Sequence, residues 1–514
     1  MEFNDKLKSI INRTKNNGFN VVVGDIWLMQ EYWKSWWRGD VNDFHHFKQK
    51  VNGRVKKFER RTLNTFKMVC EEWESLIWSE NVALTVNNNP NANKRLQEVL
   101  DMNNDYIEMG NLIEKYFAIG NGATIVYKAN NKTNIDYISG QQFIPLAYEN
   151  NTMSGMLTIS DSIDIENGKE IYITHLTYNW VEDDNYYIKH EVYTSNKSGQ
   201  LGDYRLENIK YVFTEQEANE MLMTISDDKD STQVHMVVIP TSIKFFQPYR
   251  PNISNNYDES TMGISIGANS IDLHESIDIK FDASSNEILN NKTRIVVKSE
   301  ALKRKLVVDD EEGSMQYIQY LDENDTVIMA VPFDDESGET IKHFQGDFRM
   351  DQIEIGINQD VQLLGWRNGF GKKYFAFKEG DVYVNEANVI SSNSALYKNK
   401  KKHENLLGRA LIEKAKAIMY LENDMGNISV DLDSLEYEVT FDDSIITDDN
   451  TILQQYRLDA QDGLIPEYMY IMKAYKVDEA TAKKWIVEAS QEFNDDIVEP
   501  NDDDIQPPEE EDEE

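Results

Sequence analysis

Hydrophobic positions in the first 120 residues recur at helical spacing. Trp27, Trp33, Trp36 and Trp37 fall close to one helical face, and Phe66, Val69, Trp73, Leu76 and Ile77 make a second stripe. The pattern predicts a mostly helical N-terminal part with both stripes in its core. Between residues 120 and 250 the period changes. Segments such as ATIVYKA, EIYITHLTYNW, YYIKHEVYT and HMVVIPTSIKFF are rich in β-branched and aromatic residues and bounded by Asn, Gly and Asp, which predicts strands.

Two helices then frame the centre of the chain. From Thr261 to about Asn290, Ile264, Ala268, Ile271, Ile277 and Phe281 recur near the helical period. From about Arg349 to Trp366, Met350, Ile353, Ile357, Val361 and Leu364 do the same. Residues 291–347 between them read as strands (TRIVVKS, KLVVDD, TVIMAVPF), a small α/β insertion carried on a helical pair. An aromatic, glycine-containing loop follows, WRNGFGKKYFAFKEGDVYVNE. Beyond it the pattern predicts a long helix from about Ala387 to Met425 through Leu407, Leu411 and Ile418. A strand-like piece (LEYEVTFDDSI) and helices near 448–462 and 478–493 complete an α+β chain with no visible repeat.

Length and charge narrow the picture. A length of 514 residues predicts three or four structural units. With 40% hydrophobic and 11% aromatic residues it has ample core material, so it is not mainly disordered. Acidic residues number 91 against 52 basic, a formal charge of −39, which argues against a general nucleic-acid coat. The single cysteine, Cys70, excludes a disulfide framework and multi-cysteine zinc sites. No apolar run approaches a membrane span, and MEFNDKLKSI lacks a signal-peptide core, so the expected setting is a reducing cytoplasm without a membrane.

The charge is uneven. Residues 494–514 carry 12 acidic and no basic side chains with three prolines, which predicts a disordered tail, either a solubilising one or one that docks on a basic partner. Residues 34–67 and 398–416 run the other way, with net charges of +7 and +5. Such runs meet phosphate, form a solvated face, or pair with acidic neighbours.

Candidate chemistry is thin. Gly263-Ile264-Ser265-Ile266-Gly267 matches the G-x-S-x-G pattern, but the preceding SNNYDEST is polar and makes a poor buried strand. The better reading is a helix start capped by Ser260 or Thr261, with small residues for close packing. Gly371-Lys372 lacks the glycine and hydroxyl of a phosphate-binding loop, and Gly120-Asn121-Gly122 reads as a turn. The eight histidines make no metal pattern. Acidic clusters such as Asp309-Asp310-Glu311-Glu312 and Asp442-Asp443 admit a Mg²⁺-dependent nuclease as an alternative, against a solvated surface. No catalytic constellation, cofactor site or metal site emerges, and no enzyme is expected.

The order of parts resembles the portal proteins of long-tailed phages of Gram-positive bacteria. The block at 363–409 carries the resemblance best, with Val389, Ser391, Asn393, Ser394, Tyr397, Lys398, Lys401, His403 and Glu404 in the family's pattern after a Gly/aromatic loop. Gly263, Ser265, Ala268, Ile271 and Asp278, followed by Lys292-Thr293-Arg294-Ile295, look like its first stem helix leading into the clip. Tyr32, Trp36-Trp37-Arg38-Gly39, Asp442-Asp443 and Leu464 also fit. The chain departs from the family at Val384-Asn385-Glu386-Ala387-Asn388, where Lys-Thr-Ala-Thr-Glu is usual.

The resemblance implies a ring of about twelve subunits, closed by head-to-tail contacts, at one capsid vertex. It implies a channel for double-stranded DNA in packaging and ejection, and docking of terminase and then head–tail connector proteins. Scaffolding and major capsid proteins are further implied partners, with assembly in the host cytoplasm and residence in the virion. The implied parts are a wing at 1–260, a first stem helix at 261–290, a clip at 291–347 and a second stem helix at 348–366. A tunnel loop at 367–386, a long wing helix with return strand at 387–447, a helical crown at 448–493 and the acidic tail complete them. A DNA conduit must not grip its cargo, because each neutralised phosphate adds binding free energy. On that basis Asp272, Glu275, Asp351 and Glu354 are expected on the tunnel wall, and Lys372, Lys373 and Lys378 on the loop as weak phosphate contacts. The loop aromatics Phe370, Tyr374, Phe375 and Phe377 pack either between subunits or within one. A capsid-associated adaptor working through its acidic tail is the third reading.

Overall fold

The computed structural model describes all residues except 1–4, 20, 22–23, 52–53, 80–81, 167, 196–200, 206–234, 259, 291–293, 299–303, 309–314, 320–327, 332–340, 345–347, 372–373, 376–385, 442–448, 476 and 496–514. Two compact units are present, Met1–Phe441 and Asp442–Glu514.

The first unit opens with helices α1 (Asp5–Asn16) and α2 (Asp25–Arg38) and a hairpin of β1 (His46–Val51) and β2 (Arg54–Glu59). Helix α3 (Thr65–Ile77), strand β3 (Ala83–Val86) and helices α4 (Pro90–Met102) and α5 (Asp105–Ile119) follow. The second stripe is in the core, with Phe66, Val69, Trp73, Leu76 and Ile77 all buried, while of the first stripe Trp33 and Trp36 are buried and Trp27 and Trp37 are half-buried against its edge. Asn89 caps α4, its side chain accepting from the N–H groups of Asn91 and Ala92, with Pro90 at the first position, where a missing N–H costs nothing. The hairpin departs from the helical expectation, for a reason visible in the chain. Asn52-Gly53 stands between two polar–apolar stretches, the strongest short hairpin signal.

The strand-rich region forms two sheets. Strands β4 (Gly122–Ala129), β5 (Lys132–Ser139) and β12 (Phe246–Tyr249) make one, in the order β12-β4-β5. The other runs β10-β9-β8-β7-β6, with β11 (His235–Ile239) also on β9. Its members are β6 (Phe143–Glu149), β7 (Thr152–Glu166), β8 (Lys169–Glu182), β9 (Asn185–Ser195) and β10 (Leu201–Arg205). The turns at Asn130-Asn131, Asn150-Asn151 and Asp183-Asp184 hold both residues at positive φ, the two-residue hairpin geometry that Asn and Asp tolerate. Helix α1 lies on the larger sheet through Leu7 and Ile10, which cluster with Leu157, Leu176 and Tyr178. There Arg13 pairs with the fully buried Glu191 at 2.8 Å.

Helix α6 (Ile271–Asn290) and helix α7 (Met350–Arg367) bracket strands β13 (Arg294–Lys298), β14 (Arg304–Val308), β15 (Met315–Gln319), β16 (Ile328–Val331) and β17 (Ile341–Phe344). Strand β13 pairs parallel to β16 and antiparallel to β17, and β14 pairs with β15. Helix α8 (Glu386–Asp424) runs 39 residues and buries Leu407, Leu411 and Ile418 as its period predicts. Strand β18 (Tyr437–Thr440) returns to pair with β3.

The helix expected from Thr261 starts ten residues later, at Ile271. Residues 261–267 are instead clamped to the end of α5. Asn121 Nδ2 donates to Gly263 O at 2.9 Å, and Gly263 N donates back to Asn121 Oδ1 at 2.8 Å. A Cβ on Gly263 would meet Arg250 Cβ at 2.5 Å, so only glycine permits this approach. Gly120-Asn121 makes the expected turn between α5 and β4, with Gly120 at φ 96°.

The second unit holds α9 (Asp449–Gln461), α10 (Glu467–Tyr475) and α11 (Glu479–Asp495). The short α10 has no counterpart in the hydrophobic pattern, because nine residues give too few turns for a period to register.

Candidate functional site

The helix pair α6–α7 is antiparallel and laced by ions along its length. Arg367 donates to both oxygens of Asp272 (2.7 and 2.8 Å), Lys280 pairs with Asp360, and Arg349 pairs with Glu287 at 3.1 Å. The Arg367 hydrogen bonds hold the Asp272 carboxyl below its ordinary range. Gly356 makes room for the Lys280 stem, since a Cβ there would stand 3.3 Å from Lys280 Cδ.

One side of α6 is anchored in the core. Asp278 accepts from His45 Nε2 (3.1 Å), Thr62 Oγ1 (2.9 Å) and the Leu63 N–H (2.8 Å), and both ionisable side chains are almost fully buried. His274, one turn earlier, bonds Thr65 Oγ1 at 2.8 Å and lies against Phe66 and Trp36. Burial drives its pKa down to about 3.

The opposite side of the pair faces solvent. Ile279 on α6 is 48% exposed, while Ile355, Leu363 and Trp366 on α7 are 57, 49 and 57% exposed. Ile355, Leu363 and Trp366 are spaced by eight and three residues, and so share one face of α7.

The four acids expected on a tunnel wall lie on this pair but not together. Asp272 is exposed and paired, Glu275 is half-buried, Asp351 is exposed in the first turn of α7, and Glu354 is half-buried. Because the helices are antiparallel, Asp272 and Glu275 stand roughly 20 Å along the axis from Asp351 and Glu354, at 1.5 Å per residue. Lys372, Lys373 and Lys378 lie outside the described residues, as do Phe377 and the acidic clusters 309–312 and 442–443.

The aromatics of the loop that can be placed pack inside the subunit. Phe370 is buried 4.7 Å from the Trp73 ring, and Tyr374 and Phe375 cluster on it. Tyr374 donates its hydroxyl proton to Glu72. Trp73 Nε1 donates to Asn368 O at 3.1 Å, fixing the end of α7 on α3. His403 closes the same cluster. It stacks edge-on to Trp73 and Phe117, and its Nδ1 accepts the Asn252 N–H at 3.0 Å. Burial lowers its pKa to about 3. Its neighbour Glu404 is buried beside Lys400 (3.0 Å), so this part of the 389–404 motif anchors α8. The basic run 398–416 is largely spent internally: Lys414 pairs with Asp105 at 2.6 Å and Lys416 with Glu413 at 2.6 Å.

Ser265 of the G-x-S-x-G match is fully buried, donating to Phe117 O at 3.2 Å and accepting from the Gly267 N–H, with no histidine among its hydrogen-bond partners. The burial of Asp278, His274 and His403 carried no local signal, because a polar residue in an apolar stripe looks like any solvent-facing one. Among the described residues, no group of three or more His, Cys, Asp or Glu side chains is placed to hold a metal, and no helix is long and apolar enough to cross a membrane.

Comparison with known families matches residues 28–494 to the family described as "Phage portal protein, SPP1 Gp6-like". That match covers most of each unit and the whole helix pair, and the chain belongs to this family of phage portal proteins. It is therefore a capsid component of a bacteriophage virion that associates with itself and serves genome packaging together with terminase. No curated protein matches the chain.

Proposed function

We propose that the chain closes into a ring of about twelve copies at one capsid vertex of a long-tailed phage of Gram-positive bacteria, its axis conducting double-stranded DNA in packaging and ejection. The observation that carries the reading is the exposed apolar face on α6–α7. Four large side chains about half exposed on one helix pair are costly for a lone subunit, and burying each against a neighbour contributes about 1 kcal/mol or more. Head-to-tail contacts between identical copies form a ring when their rotation closes.

On this reading α6 and α7 form the stem, residues 291–347 the clip that receives terminase and later head–tail connector proteins, and 367–386 the tunnel loop. Residues 1–260 and 387–447 form the wing, 448–493 the crown and 494–514 an acidic tail. Glu275, Asp351 and Glu354 ring the channel at two levels and repel the duplex from the wall, while Asp272, paired with Arg367, holds the helix pair at the same wall. Lys372, Lys373 and Lys378 make brief phosphate contacts from the loop. Scaffolding and major capsid proteins hold the ring in the shell. Procapsids assembled with and without this chain, supplied with terminase, ATP and DNA, test the reading. Packaging is expected only with the chain, and equal packaging without it would overturn the proposal.

A further inference from the structure

The hairpin β1–β2 is a free-standing arm. Among the described residues its strands pair with no other strand, and apart from a single bridge of His46 to Asn42 at the base both outer edges are open. Isolated two-stranded hairpins are marginal in water. This one is also cationic, with Lys48, Lys50, Arg54, Lys56 and Lys57 against Glu59, in a chain whose formal charge is −39. Lys48 stands directly opposite Lys57 in the ladder. Like charges facing each other across a hairpin are destabilising, and Lys48, Lys56 and Lys57 are exposed with no ion pair among the described residues. Val55 (68% exposed) and Phe58 (37%) add apolar surface to the same arm.

The base, by contrast, is rigid. Arg60 donates to Phe44 O at 2.7 Å, and its guanidinium lies over the Phe44 and Phe47 rings at 4.2 and 5.0 Å. Arg61 reaches Ser285 on α6 at 3.0 Å, and His45 is tied to Asp278. The arm is therefore held in a fixed direction from the stem-side core, while its own charge and edges are unmet.

We propose that this hairpin is an intersubunit arm whose lysine-bearing side lies on the acidic surface of a second copy of this chain. The inference rests on the ring reading and adds to it which segment reaches across. Charge complementarity selects the partner: a copy of the same chain supplies carboxylates in excess, and the self-association of the family supplies the copy.

The test uses the full-length protein with Lys48→Glu/Lys57→Glu, and a second variant carrying a photo-crosslinking amino acid at Val55, which shares a hairpin face with Lys48 and Lys57. Melting of the charge-reversed chain should match wild type, because these side chains are exposed, make no ion pair among the described residues, and the double reversal keeps like charges opposite each other. Its assembled fraction by native mass spectrometry is expected to fall by on the order of tenfold or more, since reversal places like charges face to face. The crosslinker is expected to yield a covalent dimer joining the hairpin to an acidic peptide of another copy. Wild-type rings together with equally assembled variant rings would overturn the arm alone. A wild-type monomer would overturn both the arm and the ring. Loss of binding to a double-stranded DNA fragment, with assembly unchanged, would also overturn the arm and assign the lysines to phosphate.

Discussion

Asp278 on α6 accepts a hydrogen bond from His45 Nε2 at 3.1 Å, while His45 Nδ1 accepts the Val41 N–H at 2.8 Å. The second bond leaves Nε2 as the donor, so the ring is held in one tautomer between the hairpin base and α6. Thr62 Oγ1 and the Leu63 N–H donate to the same carboxylate. Asp278→Ala strands three donors at once, one buried on His45 and two part-buried on Thr62 and Leu63. We expect a loss of about 3 kcal/mol or more in urea unfolding, given ~1–3 kcal/mol for each unsatisfied buried group. An unchanged midpoint would show that the three donors find water instead.

The Lys414–Asp105 pair links α8 to α5 in the interior, with Tyr137 donating to the same carboxylate at 2.5 Å. Burial, with Asp105 next to it, raises the Tyr137 hydroxyl pKa far above its usual value. Lys414→Met alone leaves a buried carboxylate without its cation and is expected to cost about 3–5 kcal/mol. Asp105→Asn/Lys414→Met should recover most of that loss. Denaturant melts of the two variants decide it, and equal losses would mean the charge pairing is not what the site needs.

Acid sensitivity follows from two histidines kept neutral by burial. His274 and His403 have pKa values near 3 in the folded chain, against 6.5 for an unperturbed ring. Between those limits the unfolded chain binds a proton at each site that the folded chain does not. Their contribution is therefore intact above pH ~6.5 and erodes as pH falls, by about 1.4 kcal/mol per pH unit per histidine. His403→Gln should flatten the stability–pH slope between pH 4 and 6 by about one proton. An unaltered slope would contradict the assignment.

The long helices were legible because their apolar positions repeat over many turns. Helix α7, expected at about Arg349–Trp366, occupies Met350–Arg367, and the long helix, expected at about Ala387–Met425, occupies Glu386–Asp424. Local pattern failed where a tertiary clamp overrides it. Ile264 and Ala268 fall on helical spacing with Ile271, yet 261–267 is pinned open by Asn121 and Phe117. Charge was the least legible property. Asp272 and Asp278 sit six residues apart on α6, one exposed and paired with Arg367, the other buried under His45. Nothing in the residue types separates those roles, because burial is decided by α3 and the hairpin base packing against one side only.

The exposed face of α6–α7 makes a further prediction. Leu363→Glu/Trp366→Glu changes side chains that are half exposed in the subunit, so far-UV circular dichroism and the melting midpoint should stay near wild type. In a ring the same changes bury carboxylates at each contact, and assembly should fall by on the order of a hundredfold. Sedimentation velocity checks this, and unaltered assembly would remove α7 from the contact.

Closure into a ring is tested by native mass spectrometry of the purified chain, which is expected to give a single closed species near twelve copies, with a central hole in negatively stained images. A stable monomer or dimer at all concentrations, with or without scaffolding protein, would contradict it.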